Sequence, residues 1–138
     1  MNQYLFDDIY LGMSKGFNVE IIDDMVESFY AITKDSNPLH RDKNYAKDKG
    51  FKSNVVYGLL TASFYSTLVG VHLPGKYALL HGLKVDFTRP VYVGNRLFIS
   101  GDVVGKHDTF RRVEIRAKII NQDGETVSRA EIMVGMNE

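Results

Sequence analysis

Val55-Val56-Tyr57-Gly58-Leu59-Leu60-Thr61-Ala62-Ser63-Phe64-Tyr65-Ser66-Thr67-Leu68-Val69-Gly70-Val71 lies inside a run, Ser53 to Gly75, without a single Lys, Arg, Asp or Glu. It is too long for one strand, which typically has about 5–6 residues. It reads as a helix over 56–71, apolar on nearly every side, as a helix enclosed by its own protein would be. The length would also suit a membrane span. Ser53, Asn54, Tyr57, Thr61, Ser63, Tyr65, Ser66, Thr67 and His72 argue for burial in protein instead. Gly58, Ala62, Ser66 and Gly70 recur every four residues, so one ridge carries only small side chains and could let strands approach closely. Pro74-Gly75 ends the helix.

Beyond that helix the period changes from 3.6 to 2. Leu79, Leu83, Val85 and Phe87 alternate with Leu80, Lys84, Asp86 and Thr88, predicting a strand over 77–89. Leu97, Ile99 and Val103 predict a second. Over 111–120, Val113, Ile115, Ala117 and Ile119 face one way and Arg112, Glu114, Arg116 and Lys118 the other. Asp123-Gly124 is a hairpin turn, and Ala130, Ile132 and Val134 form the last strand. Upstream, Phe17, Val19 and Ile21 give a short strand after turn signals at Gly12 and Gly16. A helix over 24–33 follows, with Asp24 and Glu27 as its capping box. Pro38 stops that helix, and Asp42 caps a shorter one over 43–49 that closes at Gly50. One-sided alternation implies an α+β fold: a mostly antiparallel sheet, one face wet and one dry, with the uncharged helix over the dry face.

A chain of 138 residues is expected to form a single domain, 1–138. Seventeen basic residues balance seventeen acidic ones with no block of like charge, so neither nucleic acid nor a membrane is expected as a partner. There is no cysteine, which excludes disulfides, cysteine nucleophiles and thiolate metal sites. His72, His81 and His107 show no paired ligand spacing, and no metal is expected. Met1-Asn2-Gln3-Tyr4 runs into Asp7-Asp8 without a basic segment and apolar core, so no secretory signal is read and a cytoplasmic location is expected.

Chemistry concentrates in Asp35-Ser36-Asn37-Pro38-Leu39-His40. On a continuous helix Asp35 and His40 would point roughly 140° apart. Pro38 breaks that continuity, and a bend could bring carboxylate and imidazole to one water, with either group trading a proton near neutral pH. The plainer alternative is a helix end followed by an Asx-type turn, with His40 packed or solvated.

That hexapeptide, with Ala46 six residues on, closely resembles the hydratase motif of the MaoC-like, (R)-specific enoyl-CoA hydratase family. Tyr57-Gly58-Leu59-Leu60-Thr61-Ala62-Ser63 through Leu73-Pro74-Gly75, and Phe87-Thr88-Arg89-Pro90-Val91-Tyr92-Val93-Gly94-Asn95, are similar to it as well. The resemblance runs from about Ile22 to the last strand. It implies a hot-dog fold, a curved antiparallel sheet wrapped around a long central helix. It implies hydration of an enoyl thioester at C2–C3, or the reverse dehydration, without a metal or redox cofactor; coenzyme A or acyl-carrier phosphopantetheine enters only as part of the substrate. Asp35 and His40 would activate the water, Gly58 would offer its N–H to the thioester oxygen, and Asn37, Tyr57, Ser66, Gly75, Lys76 and Tyr77 would contact substrate. A homodimer or larger homo-oligomer is implied too. The family usually carries His-Gly where this chain has Tyr57-Gly58, and another glycine where it has Lys76-Tyr77. Two alternatives stand beside this: a dehydratase acting on an acyl-carrier-protein or another biosynthetic thioester, and a non-catalytic hot-dog subunit that only binds a thioester.

Overall fold

The alternating second half of the chain becomes a five-stranded sheet. A computed structural model describes every residue from Met1 to Glu138. Its strands are β1 (Ser14–Glu20), β2 (Ala78–Phe87), β3 (Arg96–His107), β4 (Arg112–Ile120) and β5 (Thr126–Met136), in the spatial order β1-β3-β4-β5-β2. Every neighbouring pair is antiparallel. Register places Ile99 opposite Ile119, Ile115 opposite Ile132 and Ala117 opposite Ala130, so the apolar members of three strands share one face. Those six side chains are all buried. Bulges near Leu80/Gly82 and Val103/Gly105 break the ladder, and such breaks increase twist and bend the sheet.

The helices are α1 (Asp23–Thr33), α2 (Pro38–Arg41), α3 (Lys43–Asp48) and α4 (Gly58–Thr67), the last continuing into a π turn over Leu68–His72. α4 and its π turn pack Ala62, Tyr65, Leu68 and Val69 into the same cluster as the sheet. Gly101 of β3 makes room for them: a Cβ there would stand 2.9 Å from Leu68 Cδ2 and 2.8 Å from Ile115 Cγ2. No helix is long and apolar enough to cross a membrane.

Several local expectations are corrected. The central α-helix starts at Gly58 because Val55 N–H is bonded to the Leu39 carbonyl and Val56 N–H to the Val91 carbonyl. Its end widens at the π turn, where Leu73 N–H reaches back five residues to Leu68. The small ridge is no continuous packing surface: Ala62 is buried, yet Ser66 is exposed and a Cβ at Gly70 would meet nothing within 4 Å. The Asp24–Glu27 capping box does not form, since α1 begins at Asp23 and Glu27 is held by Arg41 at 2.8 and 3.2 Å. Gly16 lies within β1, not in a turn. On β2 the anticipated dry face is reduced to Val85, which packs on the core, while Leu79, Leu83 and Phe87 are 53%, 42% and 49% exposed.

Candidate functional site

The motif region is shaped by short-range hydrogen bonds that its own polar residues supply. α1 stops where Lys34 turns left-handed, at φ 58°. Thr33 Oγ1 then accepts from Asp35 N–H at 3.2 Å, and the Asp35 carboxylate accepts from Asn37 N–H at 3.1 Å. The Asn37 side chain in turn accepts from Leu39 N–H at 3.0 Å and caps α2, with Pro38 at its first position. Successive Asx turns thus replace the helix that would have pointed Asp35 and His40 apart. Asp42 begins α3 by accepting from Asn44 and Tyr45 N–H.

Three bonds fasten α2 to the segment that leads into α4. Val55 N–H donates to the Leu39 carbonyl at 3.0 Å, the Asn54 amide donates to the His40 carbonyl at 3.1 Å, and His40 Nδ1 lies 2.7 Å from the Val55 carbonyl. A carbonyl oxygen only accepts, so Nδ1 carries the proton, and Nε2 is left as the nitrogen for chemistry. Behind the imidazole stands Tyr57, its ring centroid 4.3 Å away, and its hydroxyl donates to the Asp35 carbonyl at 2.6 Å. Asp35 and His40 therefore share one neighbour although five residues separate them.

Gly58 is the first residue of α4, so its N–H has no partner inside the helix. It sits at the positive end of the helix dipole. The Phe87 ring lies directly against it, such that a Cβ at position 58 would come within 3.1 Å of the ring. His40 and Gly58 line one cleft of about 390 Å³, together with Phe51, Thr61, Phe87 and Val127. That volume is within the range of small-ligand sites. Its lining mixes apolar side chains with His40, Thr61, Thr88 and Arg89, and with the unpaired Gly58 N–H it suits a substrate that carries both a polar carbonyl and an apolar tail.

The remaining anticipated residues are placed differently. Asp35 is exposed and is not among the residues that line the cleft. Asn37 is a helix cap, and Tyr57 is buried behind the imidazole, not on the cleft wall. Ser66 is exposed on the outer side of α4. Gly75 packs on the Asn2 backbone, and the Lys76 ammonium lies 5.4 Å from the Tyr77 ring centroid. Gly75, Lys76 and Tyr77 follow the C-terminal end of the central helix, whereas His40 and Gly58 are at its start, and within one chain they do not line the same cleft. Phe51, Phe87 and Val127 went unpredicted as lining residues. They come from three separate segments, and only the Phe87-to-Asn95 motif marked one of them. His72 stacks on Phe17 at 4.7 Å and His107 meets Glu114 at 3.1 Å. Nowhere do three His, Asp or Glu side chains come together as a metal site would need.

Comparison with known proteins adds an independent line. Residues 12–124 match the family model described as a MaoC like domain. An (R)-specific enoyl-CoA hydratase of Aeromonas caviae is 32% identical over 109 residues, which is 79% of this chain and 81% of that one. A mitochondrial 3-hydroxyacyl-[acyl-carrier-protein] dehydratase of Solanum lycopersicum is 32% identical over 107 residues, 76% of this chain and 64% of that protein. The solved structure of an (R)-hydratase from Pseudomonas aeruginosa superposes with a TM-score of 0.89 at 28% identity, covering 96% of this chain and 85% of the other.

Proposed function

The chain belongs to the MaoC-like domain family and is a hydro-lyase of acyl thioesters with the hot-dog fold, and we propose that it adds water across the C2–C3 double bond of an enoyl-CoA. One observation carries the assignment of the centre: the imidazole with its Nδ1 already committed and the unpaired Gly58 N–H open into the same cleft. The water oxygen bonds to C3 and a proton is delivered to C2. We assign Asp35 and His40 to hold that water and exchange the proton, His40 from the cleft wall and Asp35 from the exposed turn that precedes α2, while negative charge gathers on the thioester oxygen. Gly58 N–H, at a helix N-terminus, stabilises that oxygen where the charge develops. Dehydration of the 3-hydroxyacyl thioester follows the same path in reverse.

The reaction is redox-neutral and the thioester carbonyl supplies its own activation, so this reading calls for no metal or redox cofactor. Coenzyme A or phosphopantetheine is part of the substrate. We further propose a homodimer. β2 is an edge strand whose Leu79, Leu80 and Leu83 are 53%, 42% and 42% exposed, and Leu59 of α4 is 68% exposed. A long apolar edge of this kind is normally covered by another chain.

Hydration of crotonyl-, octenoyl- and branched enoyl-CoA, followed by loss of the enoyl thioester, tests the activity. Turnover to the (R)-3-hydroxyacyl product is expected with at least one of them. Hydration only of the corresponding acyl-carrier-protein thioester would move the chain to the carrier-protein dehydratases, and binding without turnover would leave a non-catalytic subunit.

A further inference from the structure

Position 57 is where this chain departs from its family's usual His-Gly, and the tyrosine there occupies an unusual crossroads. Tyr57 is 2% exposed and is the residue immediately before α4. Its ring packs on two sides, against His40 at 4.3 Å and against Phe29 of α1 at 4.8 Å. Its hydroxyl donates to the Asp35 carbonyl at 2.6 Å, a bond that spans 22 residues. The other bonds that shape the Asp35 turn, to Thr33 and Asn37, reach only two residues away. Left to those alone, an exposed turn after a left-handed Lys34 could shift as a unit relative to α4.

We propose that Tyr57 is a positioning residue that sets Asp35 and His40 in one working geometry, its hydroxyl fixing the Asp35 main chain and its ring bracing the imidazole. The inference rests on the hydratase reading above and adds a residue to it. Burial pushes the phenol above its ordinary range, so the hydroxyl keeps its proton and remains a donor at neutral pH. The imidazole is held in two directions. Nδ1 is tied to Val55, and the ring plane lies against the Tyr57 face at 34°. Arg41 of α2 closes the arrangement against α1: its guanidinium grips Glu27 and lies 4.0 Å from the Tyr30 ring centroid, keeping α2 against the helix that Tyr57 also touches. Small misplacements of reacting groups cost large factors in rate. A residue that ties the Asp35 main chain and the His40 imidazole to the same helix start therefore acts on kcat.

Tyr57→Phe keeps the ring and removes the tether. It is expected to lower kcat about tenfold, with KM held within about twofold and the melting temperature close to that of the parent. Because the tether acts through Asp35, the same substitution in an Asp35→Asn background should cost less than about twofold more. A merely structural tyrosine would lower the melting temperature and give equal factors in both backgrounds. Should Tyr57→Phe not fold, Tyr57→His serves in its place: its shorter ring cannot reach the Asp35 carbonyl, so kcat is expected to fall about tenfold with KM held within about twofold. A folded Tyr57→Phe with unchanged kcat overturns the proposal, as does an undiminished loss in the Asp35→Asn background, or a folded Tyr57→His with unchanged kcat. A parent chain that hydrates no enoyl thioester would overturn both this and the hydratase reading. An active parent with an indifferent Tyr57→Phe overturns this inference alone.

Discussion

His40 has one ring nitrogen bound to Val55 and one left for the cleft, and that division makes its substitution informative. His40→Gln keeps a polar side chain but not the proton affinity, and Asp35→Asn keeps size and hydrogen bonding but not the charge. Each is expected to lower turnover by about two to four orders of magnitude, the scale of general acid–base groups. The double variant should lose little beyond the worse single one, since a catalytic unit does not add. Folded single variants with near-normal hydration of the best enoyl thioester would remove the pair from the mechanism. At this scale the sequence was legible where chemistry is local. Asp35, Asn37 and Pro38 make their bend with hydrogen bonds two residues long, which a motif can encode. Tyr57 was anticipated at the substrate, but its partners Phe29, Asp35 and His40 come from other segments that periodicity does not connect.

Between elements, one polar contact ties α4 to the sheet. Tyr65 of α4 donates to Ser128 of β5 at 2.9 Å, with both residues buried. Burial raises the Tyr65 phenol from its ordinary 10.0 to about 12. The folded chain thus holds a proton that the unfolded chain gives up at lower pH. The resulting stabilisation is complete below pH 10.0 and is lost as pH rises towards about 12. Tyr65→Phe should cost about 1–2 kcal/mol at neutral pH, because Ser128 loses its partner in the core. Denaturant melts should show that cost shrinking above pH 10.0; a gap that stays constant to about pH 12 would contradict the assignment. β3, β4 and β5 could be read from the sequence because each has one face on the core and the other in water. The ends of the central helix could not, since Val55 and Val56 bond to Leu39 and Val91, partners far along the chain. β2 was misjudged for a different reason. Its leucines suggest a covered face, and within one chain only Val85 of that face is packed on the core.

For the whole molecule, that uncovered edge becomes a statement about assembly. Leu83 lies on β2 opposite Ile132 and is 42% exposed, so a charge there should spare the monomer's core while spoiling a contact with a second copy. Leu83→Glu is expected to convert a dimer into monomer in light scattering and to lower hydration activity in parallel. A parent chain that is fully active as a monomer at assay concentration would refute the dimer. The cleft itself is divided between two kinds of element. His40 and Gly58 stand on α2 and at the start of α4, held by the Asx turns and by the bonds from Asn54 and Val55, while Phe87 comes from β2 and Val127 from β5. If His40 and Gly58 do the chemistry and Phe87 and Val127 shape the acyl fit, as proposed, the two are inherited through different parts of the chain. On that division, descendants of such a protein could exchange Val127 and drift towards longer, shorter or branched acyl groups while the machinery that handles water passes down unaltered, whereas Phe87, packed against Gly58, would be harder to change.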